Sequence, residues 1–453
     1  MTARTARRAH PILRRLLQVD QPVLARSDAE IEAEMTRNLT WNYVVNFLDG
    51  AFFWFGLSFI SHTTILPLFV SKLTTSAWPI AILAMIGQAS WYLPQLFTAG
   101  ATERLARKKP VVVNLGFFSE RLPLYLLPLA AWMSVRNPML ALIIFFVGYG
   151  AHGLGAGAIA PAWSDLLARC FPVNRRGRFF GITSFVGTGL GALGAAFSGW
   201  LLVTYPFPTN FIFAFSIAAL AITLSWFFIA LTREPVQALP PMPAARGQTK
   251  RKLIGIVQGD QNFRNYLITR ILSGLGGMGL GFVTVAALIR WEIGDGTVGL
   301  FTAATLVGQT VGNLLAGIIA DRYGHRISLI GGFGAAALAY GLAWAAPAPS
   351  WYTAVFVLLG ISGGMTIVSG VLINLEFSRA EHRPTYIGIA NTTAGIGSVL
   401  APLVGGLIAA FSYQSLFLAS ATLSIAAMLM LILVVREPRT QRDQFDLSAG
   451  AKS

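Results

Sequence analysis

The chain has 453 residues, 55% hydrophobic and only 12% charged, with a formal net charge of +15 and a mean hydropathy of +0.62. A soluble domain carries about 25% charged residues, so this chain lacks the polar groups to coat a water-exposed surface and reads as a membrane protein. Its one cysteine, Cys170, excludes an internal disulfide and a cysteine metal cluster.

Residues 1–38 carry arginines but no apolar segment of the secretory-signal kind. They are expected as a cytoplasmic basic tail, in which ILRRLLQV (12–19) is either a short helix on the inner membrane surface or disordered chain. Twelve apolar spans follow, near 40–70, 76–99, 110–132, 138–164, 178–204, 209–231, 263–290, 297–320, 327–346, 351–376, 385–410 and 414–435. They are numbered span 1 to span 12 below. Runs 179–231, 327–375 and 384–435 contain no charged residue, and each breaks centrally at YPFP, PAP or FSYQ. A helix crosses the hydrocarbon core in about 20 residues, so each run holds two crossings. Apolar runs this continuous specify helices, because barrel strands are short and alternate.

With the N-terminus inside, only Lys72, Arg136 and Arg290 fall outside, Arg121 and Arg270 fall within spans, and the other basic residues face the cytoplasm. That is the positive-inside pattern. It assigns the basic surface to anionic membrane lipid and argues against nucleic acid.

The chain also repeats itself. NYVVNFLDGAFFWFGLSF (42–59) parallels NYLITRILSGLGGMGLGF (265–282) at an offset of 223. ERLARKK (103–109) parallels DRYGHR (321–326), and TREP (232–235) parallels VREP (435–438). The expected organisation is a cytoplasmic tail 1–38, a six-helix bundle 39–232, a polar linker 233–262, a second bundle 263–437 and a cytoplasmic tail 438–453. Such parallel halves are a transporter architecture.

GIIADRYGHR supplies Gly317, Asp321, Arg322, Gly324 and Arg326. This resembles the loop signature of the major facilitator superfamily, between second and third helices of each half. The first half departs from it, with Ala99, Glu103 and Ala106 at the Gly, Asp and second Gly positions, while Arg104, Arg107 and Lys108 remain. WSDLLARCFPVNRRGRFFG (163–181), with Asp165 and Arg178, is similar to the family's element between fourth and fifth helices. LEFSRAEHRPTYIG (375–388), with Glu376 and Arg383, is a degraded copy. The resemblance implies an all-α membrane protein of twelve transmembrane helices in two pseudo-symmetric six-helix bundles. It further implies alternating access about a central site lined by helices 1, 4, 7 and 10. In the family, ion pairs in these loops latch the cytoplasmic side; a permanent loop staple is the alternative.

Ionisable residues inside spans are functional candidates. Asp49 and Arg121 lie at similar depth, so an Arg121–Asp49 ion pair is expected, with Glu120 turned toward span 2 or 4 near Gln88 or His152. Glu120 and Arg121 then serve either as a brace or in proton coupling. Arg270 either contacts an anionic substrate group or pairs with Glu376. His152 is either a proton carrier or a hydrogen-bonded structural residue. Cavity candidates are Asn46, Asp49, His152, Arg270 and Asn374.

No phosphate loop, metalloprotease or hydrolase signature occurs, so no enzyme activity, cofactor or bound metal is expected. The resulting expectation is a monomeric secondary transporter of a small organic solute in a bacterial-type inner membrane, with both termini cytoplasmic. Protons are the expected coupling ion and membrane lipids the surrounding partners. The alternatives are a lipid flippase or scramblase, or a non-transporting sensor, on the same fold.

Overall fold

The computed structural model describes residues 11–23, 26–103, 105–236, 255–377 and 383–438. Among these residues every regular element is a helix. Ten helices are long and apolar enough to cross a membrane, from Ala77–Thr102 to Tyr413–Leu433. They correspond to spans 2 and 4 to 12. The remaining two crossings are interrupted, which is why neither forms one long helix.

Span 1 runs as Leu39–Ser58, breaks, and resumes as Ile65–Leu73. The break FISHTT holds no proline or glycine. Its polar groups find partners elsewhere in the protein: Thr284 donates to the Thr63 carbonyl at 2.6 Å, and the Thr64 and Thr302 hydroxyls meet at 2.5 Å. Irregular backbone at membrane depth persists only where protein satisfies it, and the Thr284 hydroxyl does so for the Thr63 carbonyl.

Span 3 is four short pieces. Val111–Leu115 and Phe117–Arg121 are π-helical, Leu122–Tyr125 is 3₁₀ and Leu126–Met133 is α-helical. Pro123 removes a backbone donor at the 3₁₀ start, and Gly155 of span 4 packs directly on the Ser119 backbone. π turns of this kind concentrate at functional sites.

Contacts group the chain into two compact units: residues Met1–Ser61 with Ser90–Ala244, and His62–Ala89 with Ala245–Ser453. The division follows packing rather than chain order. Within the second unit, Ala84 lies under Gly281, where an added Cβ would sit 2.6 Å away, and Ala81 lies equally close under Gly406. Lys72 forms a 2.8 Å ion pair with Asp295 there.

The repeat reappears as matched contacts. Asn42 donates to the Arg233 carbonyl at 3.0 Å and accepts from its N–H at 2.9 Å. Asn262 does the same with Arg436, at 3.0 and 2.8 Å. Tyr43 packs edge-on to Phe171 and Phe179, as Phe263 packs on Phe377 and Tyr386. These pairs set the first offset at 220 (42 to 262), three fewer than the residue matching suggested. Identities between glycine- and aromatic-rich helices slip easily, whereas contact partners do not. At this offset Arg270 is the counterpart of Gly50, not of Phe47.

Each unit has its own core. One gathers Val111, Val112, Leu166, Leu167, Phe171 and Phe179; the other gathers Phe263, Tyr266, Leu329, Phe333, Ile373 and Leu431. Large apolar side chains such as Phe97, Val203, Phe411 and Leu433 point outward. Such exposure is an aggregation hazard in water and is the expected lipid-facing surface of a membrane protein.

Candidate functional site

In the first unit, polar groups converge inside the bundle. Glu120 and Arg121 are 3% and 4% exposed, and their side chains pair with each other. Asp49 accepts a 2.6 Å hydrogen bond from Ser225 of span 6. His152 Nδ1 lies 2.9 Å from the Glu120 carbonyl oxygen. A carbonyl only accepts, so Nδ1 carries the hydrogen and Nε2 is left as the acceptor.

This differs from the expected Arg121–Asp49 ion pair. Arg121 and Asp49 still interact electrostatically, but the direct partner of Arg121 is its own neighbour. The expectation rested on the roughly 100° between adjacent Cβ directions. A long guanidinium arm in a low-dielectric pocket bends back to the nearest carboxylate instead. Glu120 does approach His152, through its backbone rather than its carboxylate. Ser225, the partner of Asp49, carries no sequence signal, because a serine in an apolar helix is common.

Asn46 is fully engaged within its own bundle. It donates to the Asn42 carbonyl at 2.8 Å and to the Thr232 hydroxyl at 3.1 Å, and accepts from that hydroxyl.

A second cluster lies at the end of the same unit where span 3 begins and span 4 ends. Lys108 is 1% exposed, with Nζ 3.0 Å from Asp165 and donating to the Thr102 carbonyl at 2.6 Å. Arg169 bridges Asp165 at 3.4 Å and Glu234 at 3.3 Å, and donates to the Ala106 carbonyl. The Glu234 carboxylate accepts from the backbone N–H groups of Lys108 and Lys109 at 2.9 Å each. It therefore caps the start of span 3 and favours the positive end of that helix. Burial lowers the Lys109 pKa, and Glu234 opposes this. Arg107 donates to the carbonyls of Gln21 and Pro22 in the N-terminal segment. The role of Glu234 was visible only as the repeated Arg-Glu-Pro, which gave no hint of what it caps.

In the second unit Gly324 has φ +94°, and a Cβ there would meet the Glu437 carboxylate. Arg326 donates to the Leu431 and Ile432 carbonyls at 2.8 Å, closing the end of span 12. Arg322 is exposed and lies over Tyr323, while Gly317 has open space beside it. Glu376 approaches His325 Nε2 at 3.9 Å. Arg104 and the side chains of Glu103, Arg178, Asp321 and Arg383 lie outside the described residues.

Deeper in this unit, Arg270 of span 7 lies against Gly370 of span 10, with Nη1 3.0 Å from where a Cβ would stand. Asn374 donates to the Gly370 carbonyl at 2.8 Å. No ion pair joins Arg270 to Glu376 or to any other described acidic residue. No group of three or more metal-ligating side chains occurs among the described residues.

Ten candidate membrane spans among the described residues, two further interrupted crossings and polar groups enclosed inside each unit define a polytopic membrane protein. Comparison with known proteins agrees. Residues 266–450 match the model of the Major Facilitator Superfamily. The chain is 27% identical over 197 residues to tetracycline resistance protein, class B, of Escherichia coli, covering 41% of this chain and 48% of that one. It is 28% identical over 177 residues to the 4-hydroxybenzoate transporter PcaK of Pseudomonas aeruginosa, covering 38% of each. The matches thus span less than half the length of these curated relatives. A solved D-xylose–proton symporter shares the fold, with TM-score 0.64 and 14% identity, over 88% of this chain and 98% of that one. A nucleoside transporter, NupG, aligns with TM-score 0.60 over 86% of this chain and 98% of its own. Residues 266–450 thus resemble the major facilitator superfamily, and the chain is a multi-pass membrane protein that shares the fold of these solved transporters.

Proposed function

We propose that this chain moves a small organic solute across a bacterial-type inner membrane by proton-coupled alternating access. The moving parts are bundles 39–232 and 263–437, joined by linker 233–262, and both termini are cytoplasmic. The observation that carries the coupling is the charge count of the enclosed cluster. Asp49 and Glu120 supply two carboxylates; Arg121 supplies one guanidinium. Fully ionised, the cluster bears one uncompensated negative charge, which a low-dielectric interior disfavours strongly. One proton restores neutrality. Glu120 is committed to Arg121, so the proton belongs on Asp49, whose carboxylate is held by a single hydroxyl. His152, whose Nδ1 meets the Glu120 carbonyl and whose Nε2 is left as an acceptor, is the candidate relay.

Relatives named for tetracycline and for 4-hydroxybenzoate suggest the first solutes to try. The test uses proteoliposomes loaded with a pH-sensitive dye. Each solute is added outside, and internal pH is followed beside solute uptake. Solute-evoked pH change is expected in the wild type and absent in Asp49→Asn. Solute flux with no pH change, or unchanged coupling in Asp49→Asn, would refute proton coupling through this cluster.

A further inference from the structure

We propose that Arg270, Gly370 and Asn374 form a binding site for a small organic carboxylate that also carries a hydroxyl group, and that this anion is the transported solute; this rests on the transporter reading above.

Arg270 lies nine residues into the helix that begins at Gln261, roughly 14 Å along its axis. A guanidinium at that depth is expensive and is normally paired. Arg121 in the first unit obeys that rule through Glu120. Arg270 does not: its Nε is buried without an acceptor, and no described carboxylate reaches it. Glu376 lies about 120° around the span 10 helix from Gly370 and is turned toward His325. At the contact-based offset the first unit has Gly50 here, packed against Thr183. The cation therefore belongs to the second unit alone and is not part of the shared architecture.

The neighbours suit a ligand. Gly370 leaves room for the guanidinium that any side chain would displace. Asn374, one turn on and on the same helix face, is 3% exposed. Its amide N–H is consumed by the Gly370 carbonyl, while Oδ1 is buried with no donor. Two unmet polar atoms flank one glycine: a charged donor at Arg270 and an acceptor at Asn374. A carboxylate answers the first, since guanidinium and carboxylate match geometrically. A hydroxyl on the same molecule answers the second. A neutral solute leaves the cation unmet.

The test uses the purified full chain in lipid nanodiscs. Binding of lactate, mandelate and 3-hydroxybenzoate is measured by calorimetry beside lactamide, mandelamide and 3-hydroxybenzamide. At least one acid is expected to bind, and none of the amides. Arg270→Gln should weaken the acid about tenfold or more, and Arg270→Lys less, because the ammonium keeps charge but not the fork. Asn374→Ala should erase the preference for mandelate over phenylacetate. Because no described acidic side chain pairs with Arg270, Arg270→Gln should melt no lower than wild type; a lower melt marks a structural residue and overturns the proposal. So does the absence of acid binding, equal binding of the amides, or unchanged affinity in Arg270→Gln. Solute-evoked flux that persists in such a case leaves the transporter reading in place.

Discussion

Glu120→Gln tests the buried pair at little cost in shape. Both side chains are almost fully enclosed, and Arg121 Nε already has no acceptor. The substitution leaves the guanidinium with only the weaker attraction of Asp49. Removing one partner of a buried ion pair costs about 3–5 kcal/mol, or about two to three and a half decades in the unfolding equilibrium. Replacing both, as Glu120→Gln with Arg121→Met, also removes the desolvation of the two charges and is expected to be neutral or stabilising by about 1–4 kcal/mol. The assay is detergent-driven unfolding in mixed micelles, followed by tryptophan fluorescence, for the wild type, both single variants and the double variant. The single variants should fall well below wild type and the double variant should recover. A loss under about 1 kcal/mol in Glu120→Gln, or a double variant no better than the singles, would refute an ionised, mutually satisfied pair. It would also move the exchangeable proton from Asp49 to Glu120.

Other outcomes follow from contacts at the helix ends. Glu234→Ala strips the cap from two backbone N–H groups and a partner from Arg169, so a loss of about 3–5 kcal/mol is expected in the same unfolding assay; Glu234→Gln should fall between. Asn42→Ala should cost about 2 kcal/mol through its two exchanged hydrogen bonds, and more than Asn262→Ala, because Asn42 is fully enclosed; the two melts compared side by side check this. Gly324→Ala places a side chain at φ +94° against the Glu437 carboxylate, and a loss of about 1–3 kcal/mol is expected; an unchanged melt would show that the turn relaxes freely.

The spans were legible because charge-free runs leave few other readings, and the two-bundle plan because three short motifs recur in order. What escaped was local. The break at 59–64 has no proline or glycine, and only its threonine partners far along the chain explain it. Span 3 reads as an ordinary greasy helix until Gly155 is seen against Ser119. Arg270 was suspected from its depth alone, but its lack of a partner beside Gly370 is a property of packing that no single sequence displays. The mutual pairing of Glu120 and Arg121 was missed because helix geometry was weighed without the reach of an arginine side chain.

The grouping of residues 62–89 with the second unit has a consequence for biogenesis. Ribosomes release this hairpin early, yet its seats at Gly281, Thr284, Asp295, Thr302 and Gly406 are made some 200 residues or more later. Until then the Thr63 carbonyl in that break lacks the Thr284 hydroxyl that satisfies it. A fragment ending near residue 244 should therefore be protease-sensitive at that break, and protected once the second half is supplied in trans.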